Sequence, residues 1–152
     1  MATPGTTLSL RAAAGLWFAG FALLGSAGLY LSAVADRDAL TMTLYLGYPT
    51  VSAFFAAMLL AHRVLGASSS IRAAFGGLGI FALAFLIFAA LYVVTLAQIG
   101  HVQNRAAFLG AVLTLGLVMT APVLLPLAAV AGCLLHVIRR RAVRSVDSSA
   151  SG

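Results

Sequence analysis

The side chains able to do chemistry gather in two places. The first comprises Tyr45 and Tyr48, in Leu44-Tyr45-Leu46-Gly47-Tyr48-Pro49, together with the polar stretch Gln98-Ile99-Gly100-His101-Val102-Gln103-Asn104-Arg105. Two phenols, an imidazole and a guanidinium offer hydrogen bonds and one cation to a polar or aromatic ligand, and His101 alone among them is a metal-ligand type. Tyr45, Tyr48, His101 and Arg105 are therefore the ligand-binding expectation. The second place is a histidine pair, His62 and His136, with arginines close by at Arg63 and Arg139. On facing helices at one depth such a pair could ligate haem iron, but histidines beside arginines also serve as anchors at a membrane boundary. Ser-His-Asp order, a phosphate-cradling glycine loop and HExxH are all absent, so no catalytic residue is assigned and no enzyme is expected. The single cysteine, Cys133, leaves no internal disulfide, no CxxC pair and no cysteine metal cage.

What must position these residues is a set of apolar helices. Hydrophobic residues make up 62% of the 152-residue chain and charged residues 8%, with a mean hydropathy of +1.09, too little polar surface to coat a water-soluble globule. The expectation is an all-α polytopic membrane protein, a bundle of four transmembrane helices over about residues 12–35, 40–62, 73–97 and 106–138. Residues 1–11 are expected as a cytoplasmic N-terminus, and residues 139–152 as a basic, then disordered, cytoplasmic tail. The first apolar run is too long for the core of a signal peptide and is read as a retained span. Gly15, Gly20, Gly25 and Gly28 strip bulk from its surface and should let a neighbour approach.

Three prolines carry structural expectations. Pro49 should either kink the second span, or follow an extended Leu44 to Tyr48 with the regular helix starting at Gly47 to Pro49 and running on to Val64. Residues 106–138 are too long for one upright span and too short for two with a turn, so Pro122 and Pro126 are expected to bend one long fourth helix. On the third span, Phe81, Phe85, Phe88 and Tyr92 recur every three or four residues. Such a stripe is more often packing against neighbours or lipid than a cofactor box.

Charge sets the expected orientation. All nine basic residues are arginine, and seven of them fall on the N-terminus, the loop from Arg63 to Arg72 and the C-terminal tail. The positive-inside rule then places both termini in the cytoplasm. The cluster Arg139, Arg140, Arg141 and Arg144 is a topology signal that also suits anionic lipid; nucleic acid is not an expected partner. Glutamate is absent and the three aspartates lie outside the spans, which removes the buried carboxylates an ion-driven transporter uses.

The order of features resembles the haem-handling membrane proteins of cytochrome c maturation, the tryptophan-rich WWD family. The resemblance rests on Gly28-Leu29-Tyr30, the Asp-bearing loop after it, the stretch from Leu44 to Pro49, and Gly76 to Leu96 with Thr95 near its end; it covers about residues 28–115. Tyr45, Pro49 and Arg105 match the family pattern. Gly47 stands where the family has histidine, and the loop at His101 has no tryptophan. The resemblance implies haem handling on the outer face, with His101 the imidazole available there.

The functional expectation is an accessory or assembly subunit in the plasma membrane, working with a larger membrane complex or self-associating through small-residue helix faces, and linked to cytochrome c maturation by the resemblance. The alternatives are a haem or quinone carrier-type module using the outer face, and a small oligomeric channel or transporter.

Overall fold

The computed structural model describes residues 4–33, 39–98, 100 and 104–150. Every regular element among them is helical: α1 Pro4–Ala33, α2 Ala39–Met42, a π-helical turn Thr43–Gly47, α3 Tyr48–Leu65, α4 Ser70–Gln98 and α5 Arg105–Ala150. Four stretches are long and apolar enough to cross a membrane, Ser9–Leu31, Ala39–Leu65, Ser70–Gln98 and Arg105–Arg141.

Local chemistry accounts for the helix ends. Pro4 occupies the first position of α1, where a missing N–H costs nothing. After α3 the chain turns at Gly66, whose N–H donates to His62 O at 2.9 Å, and Ser69 then caps α4, its Oγ accepting the Arg72 N–H at 3.3 Å. Gly100 follows α4 with φ of 79°, the left-handed conformation that glycine adopts without steric cost, and its N–H reaches back to Ala97 O. Asn104 caps α5 through Oδ1, which accepts the Ala107 N–H at 3.2 Å.

The helices pack in chain order, α1 on α3, α3 on α4 and α4 on α5, with a smaller contact between α1 and α5 that closes part of the ring. Small residues make the seams: Ala53, Ala56 and Ala57 of α3 share one core with Ala73 and Ile80 of α4, and Gly76 of α4 lies against Val64 of α3. The α4–α5 seam is the tightest. A Cβ on Gly77 would overlap Ala128 O, and one on Gly132 would overlap Ala73 O, while each would lie within 3.5 Å of the other glycine's Cα. Backbones in such proximity gain dispersion and Cα–H···O contacts that side chains would block. Further along, Trp17 Nε1 donates to Ala131 O at 3.0 Å, the Cys133 thiol to Ser70 O at 3.4 Å, and the Arg140 guanidinium to Ser68 O. The C-terminal half of α5 is thus tied to both α1 and the start of α4.

Several boundaries differ from the sequence reading. Helix α1 begins at Pro4 rather than residue 12, and α5 runs through Arg139, Arg140 and Arg141 to Ala150, in place of a disordered tail. A helix does not end where lipid would end; it needs a stop signal, and residues 139–150 contain neither glycine nor proline. The extended alternative for Leu44 to Tyr48 is also replaced. The chain stays helical through Pro49, and one wide turn absorbs the proline, with the Tyr48 N–H bonded to Thr43 O, five residues back. Of the four glycines expected to receive a neighbour on α1, Gly15 meets Phe54 and Met58 and Gly25 meets Leu124, whereas Gly20 and Gly28 have nothing within 4 Å. Pro122 and Pro126 lie inside one continuous α5, as a single long fourth helix requires.

Candidate functional site

All four tyrosines of the chain collect at one end of the bundle. Tyr30 comes from the last turns of α1, Tyr45 from the π turn, Tyr48 from the start of α3 and Tyr92 from the last turns of α4. Tyr48 Oη and Thr95 Oγ1 lie 2.8 Å apart and tie α3 to α4. The Tyr45 ring lies 6.5 Å from that of Tyr30. Tyr30 is buried, and its Oη has no partner among the described residues.

The π turn gives this arrangement its register. Pro49 cannot donate to Tyr45 O, and its ring would press on that carbonyl in a regular α-helix. Widening Thr43–Gly47 by one residue relieves the clash and rotates what precedes it by about 100° relative to α3, the angle of one residue on a 3.6-residue turn. Leu44 is thereby buried, and Tyr45 is directed to Tyr92. Two hydroxyls reinforce the irregular segment, Thr43 Oγ1 donating to Ala39 O at 2.8 Å and Thr50 Oγ1 to Leu46 O at 2.7 Å.

Beneath the tyrosines a cleft of about 540 Å³ runs between α1, α3, α4 and the first half of α5. Its size falls within the range of small-molecule sites. An aromatic series forms one wall: Phe81, Phe85, Phe88 and Tyr92 succeed one another along α4 at centroid distances of 5.7 to 6.1 Å. Phe108 of α5 continues it, nearly parallel to Tyr92 at 10°, with centroids 6.4 Å apart. Phe18 and Phe21 of α1 line the opposite side, and Gly116 of α5 lets Phe85 approach, a Cβ there coming within 3.1 Å of its ring. Among the described residues no charged side chain and no histidine lines the cleft. Its polar side chains are Tyr45 and Tyr92 at one end and Ser26 and Thr120 along its length, and the Thr120 hydroxyl is already donated to Gly116 O at 2.7 Å.

The residues expected at the site fare unequally. Tyr45 and Tyr48 join the cluster, although only Tyr45 borders the cleft. Arg105 is exposed at the first turn of α5. His101 and Gln103 lie outside the described residues, as do Asp36, Arg37 and Asp38. The two other histidines occupy unlike environments: His62 is exposed, its Nδ1 3.2 Å from Leu59 O, whereas His136 is buried and its Nε2 lacks a partner among the described residues. Among the described residues no group of three or more His, Cys, Asp or Glu could hold a metal ion. Sequence reasoning missed Tyr30, Phe108 and the part played by Tyr92. The aromatic stripe on the third span was the available signal, since a face of four rings at helical spacing needs either lipid or a cavity in front of it. No protein family, curated protein or solved structure matches this chain.

Proposed function

We propose that the chain is a multi-pass plasma-membrane protein that holds an uncharged, membrane-soluble molecule in the cleft between α1, α4 and α5, as a non-catalytic accessory module beside a larger membrane complex. The observation that carries this reading is the cleft itself, about 540 Å³ of aromatic and aliphatic surface with phenols confined to one end. An apolar pocket with a few convergent polar groups is the usual form of a ligand site. A channel is disfavoured by the same lining, which provides no polar path for an ion. Haem is a poorer fit than a neutral ligand, because among the described residues the lining offers neither an imidazole for iron nor a cation for the propionates. The link to cytochrome c maturation stays within this proposal, as the setting it offers for the partner complex.

Ala111 of α5 faces the cleft and is exposed, so Ala111→Trp fills the space without overpacking the core. The protein purified in mild detergent should carry a neutral lipid recoverable by solvent extraction and mass spectrometry, and the Trp variant should carry less by about tenfold, equivalent to ~1.4 kcal/mol of lost binding. Equal recovery from both proteins would remove the cleft from the reading.

Orientation is part of the proposal and rests on the arginine distribution, seven against two. Reporter fusions at Ser69 and Ser148 should report cytoplasm, and one at Val102 the outside. A signal from Ser148 on the outer side would exclude both termini lying within.

A further inference from the structure

We infer that the occupant of the cleft is a neutral lipid with a flat, carbonyl-bearing ring and a long apolar tail, the chemistry of a prenylated quinone, its ring at Tyr45, Tyr92 and Phe108 and its tail along the α4 phenylalanines. This deepens the proposed function and rests on the cleft being a ligand site.

Three features of the cleft select that chemistry. Among the described residues the lining carries no charge, so along that surface a carboxylate, phosphate or ammonium head would have no counter-ion and would lose its hydration uncompensated. Fatty acids, phospholipids and haem are disfavoured on that ground. Among the described residues the polar groups at the head are the Tyr45 and Tyr92 hydroxyls. A phenol hydroxyl can donate, so an acceptor on the ligand is complementary to it, and a ring carbonyl supplies one in the plane of the ring. Finally, Tyr92 and Phe108 present nearly parallel faces, 10° apart, at the same end. A conjugated ring stacks on such faces with a preference that an aliphatic alcohol lacks. Below them the cleft continues past Phe88, Phe85 and Phe81 toward Phe18, a length of apolar wall that a ring alone would leave uncovered.

The test titrates the full-length protein in detergent micelles with a short-chain prenylated benzoquinone and, separately, with farnesol, which has the isoprenoid tail and no ring. The benzoquinone should bind more tightly. Tyr45→Phe/Tyr92→Phe, which keeps both rings and removes both hydroxyls, should weaken it by about 5- to 10-fold, the effect of one lost hydrogen bond, and leave farnesol unchanged. Tyr45→Phe alone, tested beside it, guards against a folding defect in the double variant, and should produce part of the same loss. Farnesol binding as tightly as the benzoquinone, or a double variant that shifts neither, would overturn the ring assignment while leaving the cleft a ligand site. Failure of both ligands to bind, with Ala111→Trp also without effect on the extracted lipid, would overturn the cleft reading and this inference with it.

Discussion

Gly77→Leu should unseat α5 from α4 and lower stability by about 3 kcal/mol, the upper part of the usual range for overpacking. The reason is geometric. The space a side chain would need at Gly77 is filled by backbone, Ala128 O and the Cα of Gly132, and backbone cannot turn aside as the end of a flexible side chain can. Opposite, Gly132 meets Ala73 O in the same way, so the two helices would have to separate over the whole seam rather than at one point. Gly79 supplies the control on the same helix: nothing lies within 4 Å of its Cβ position, and Gly79→Leu should change stability by no more than ~0.5 kcal/mol. Thermal unfolding in detergent reads both. Equal destabilisation by the two variants would mean that the seam is not what holds α5.

Pro49→Ala should act at a distance from its own position. Alanine restores the N–H that proline lacks and removes the ring that crowds Tyr45 O, so the wide turn at Thr43–Gly47 loses its cause and the segment should relax to a regular α-helix. Closing the π turn rotates Tyr45 by about 100° about the helix axis and carries its phenol away from the cleft end it shares with Tyr92. Tyr48, beyond the turn, keeps its place opposite Thr95. A cysteine introduced at position 45 should therefore be labelled by a maleimide at different rates with and without Pro49→Ala, while a cysteine at position 48 should not. Retention of the cleft ligand should fall by about tenfold, as the head loses its phenol and one wall. Unaltered labelling at position 45 would show that the π turn is held by its packing and not by the proline.

The spans were legible in the sequence because their signal is compositional: an uncharged run of the right length needs no knowledge of its neighbours. Helix ends were less so. Hydropathy falls at Arg11 and at Arg139, yet the backbone has no reason to stop there, and α1 and α5 extend past both. The glycines of α1 divided for a related reason. A small residue permits close approach, but whether a neighbour takes the space depends on where the next helix crosses, and only Gly15 and Gly25 lie on a crossing. Tyr45, Tyr48 and the α4 stripe were visible as residues. Their meeting with Tyr30 and Phe108, 15 and 63 positions from Tyr45, depends on a π turn that no composition marks and on the path of α5.

The two halves of α5 differ in a way that bears on exchange kinetics. From Ala128 onward the helix is fastened by the glycine seam, Trp17 and Cys133; from Phe108 to Thr120 it flanks the cleft; and Pro122 and Pro126 stand between, each leaving a backbone carbonyl without its usual donor. Helices bend at such points more readily than elsewhere. On the proposed reading, a molecule held in the cleft would leave sideways if the half of α5 that flanks the cleft leaned away from α1, and would enter by the same route without crossing an aqueous phase. Its dwell time is then a property of the bilayer as much as of the site. Lateral pressure from tightly packed chains would hold that half closed, and a thinner or more fluid membrane would shorten residence with every contact to the ligand unchanged.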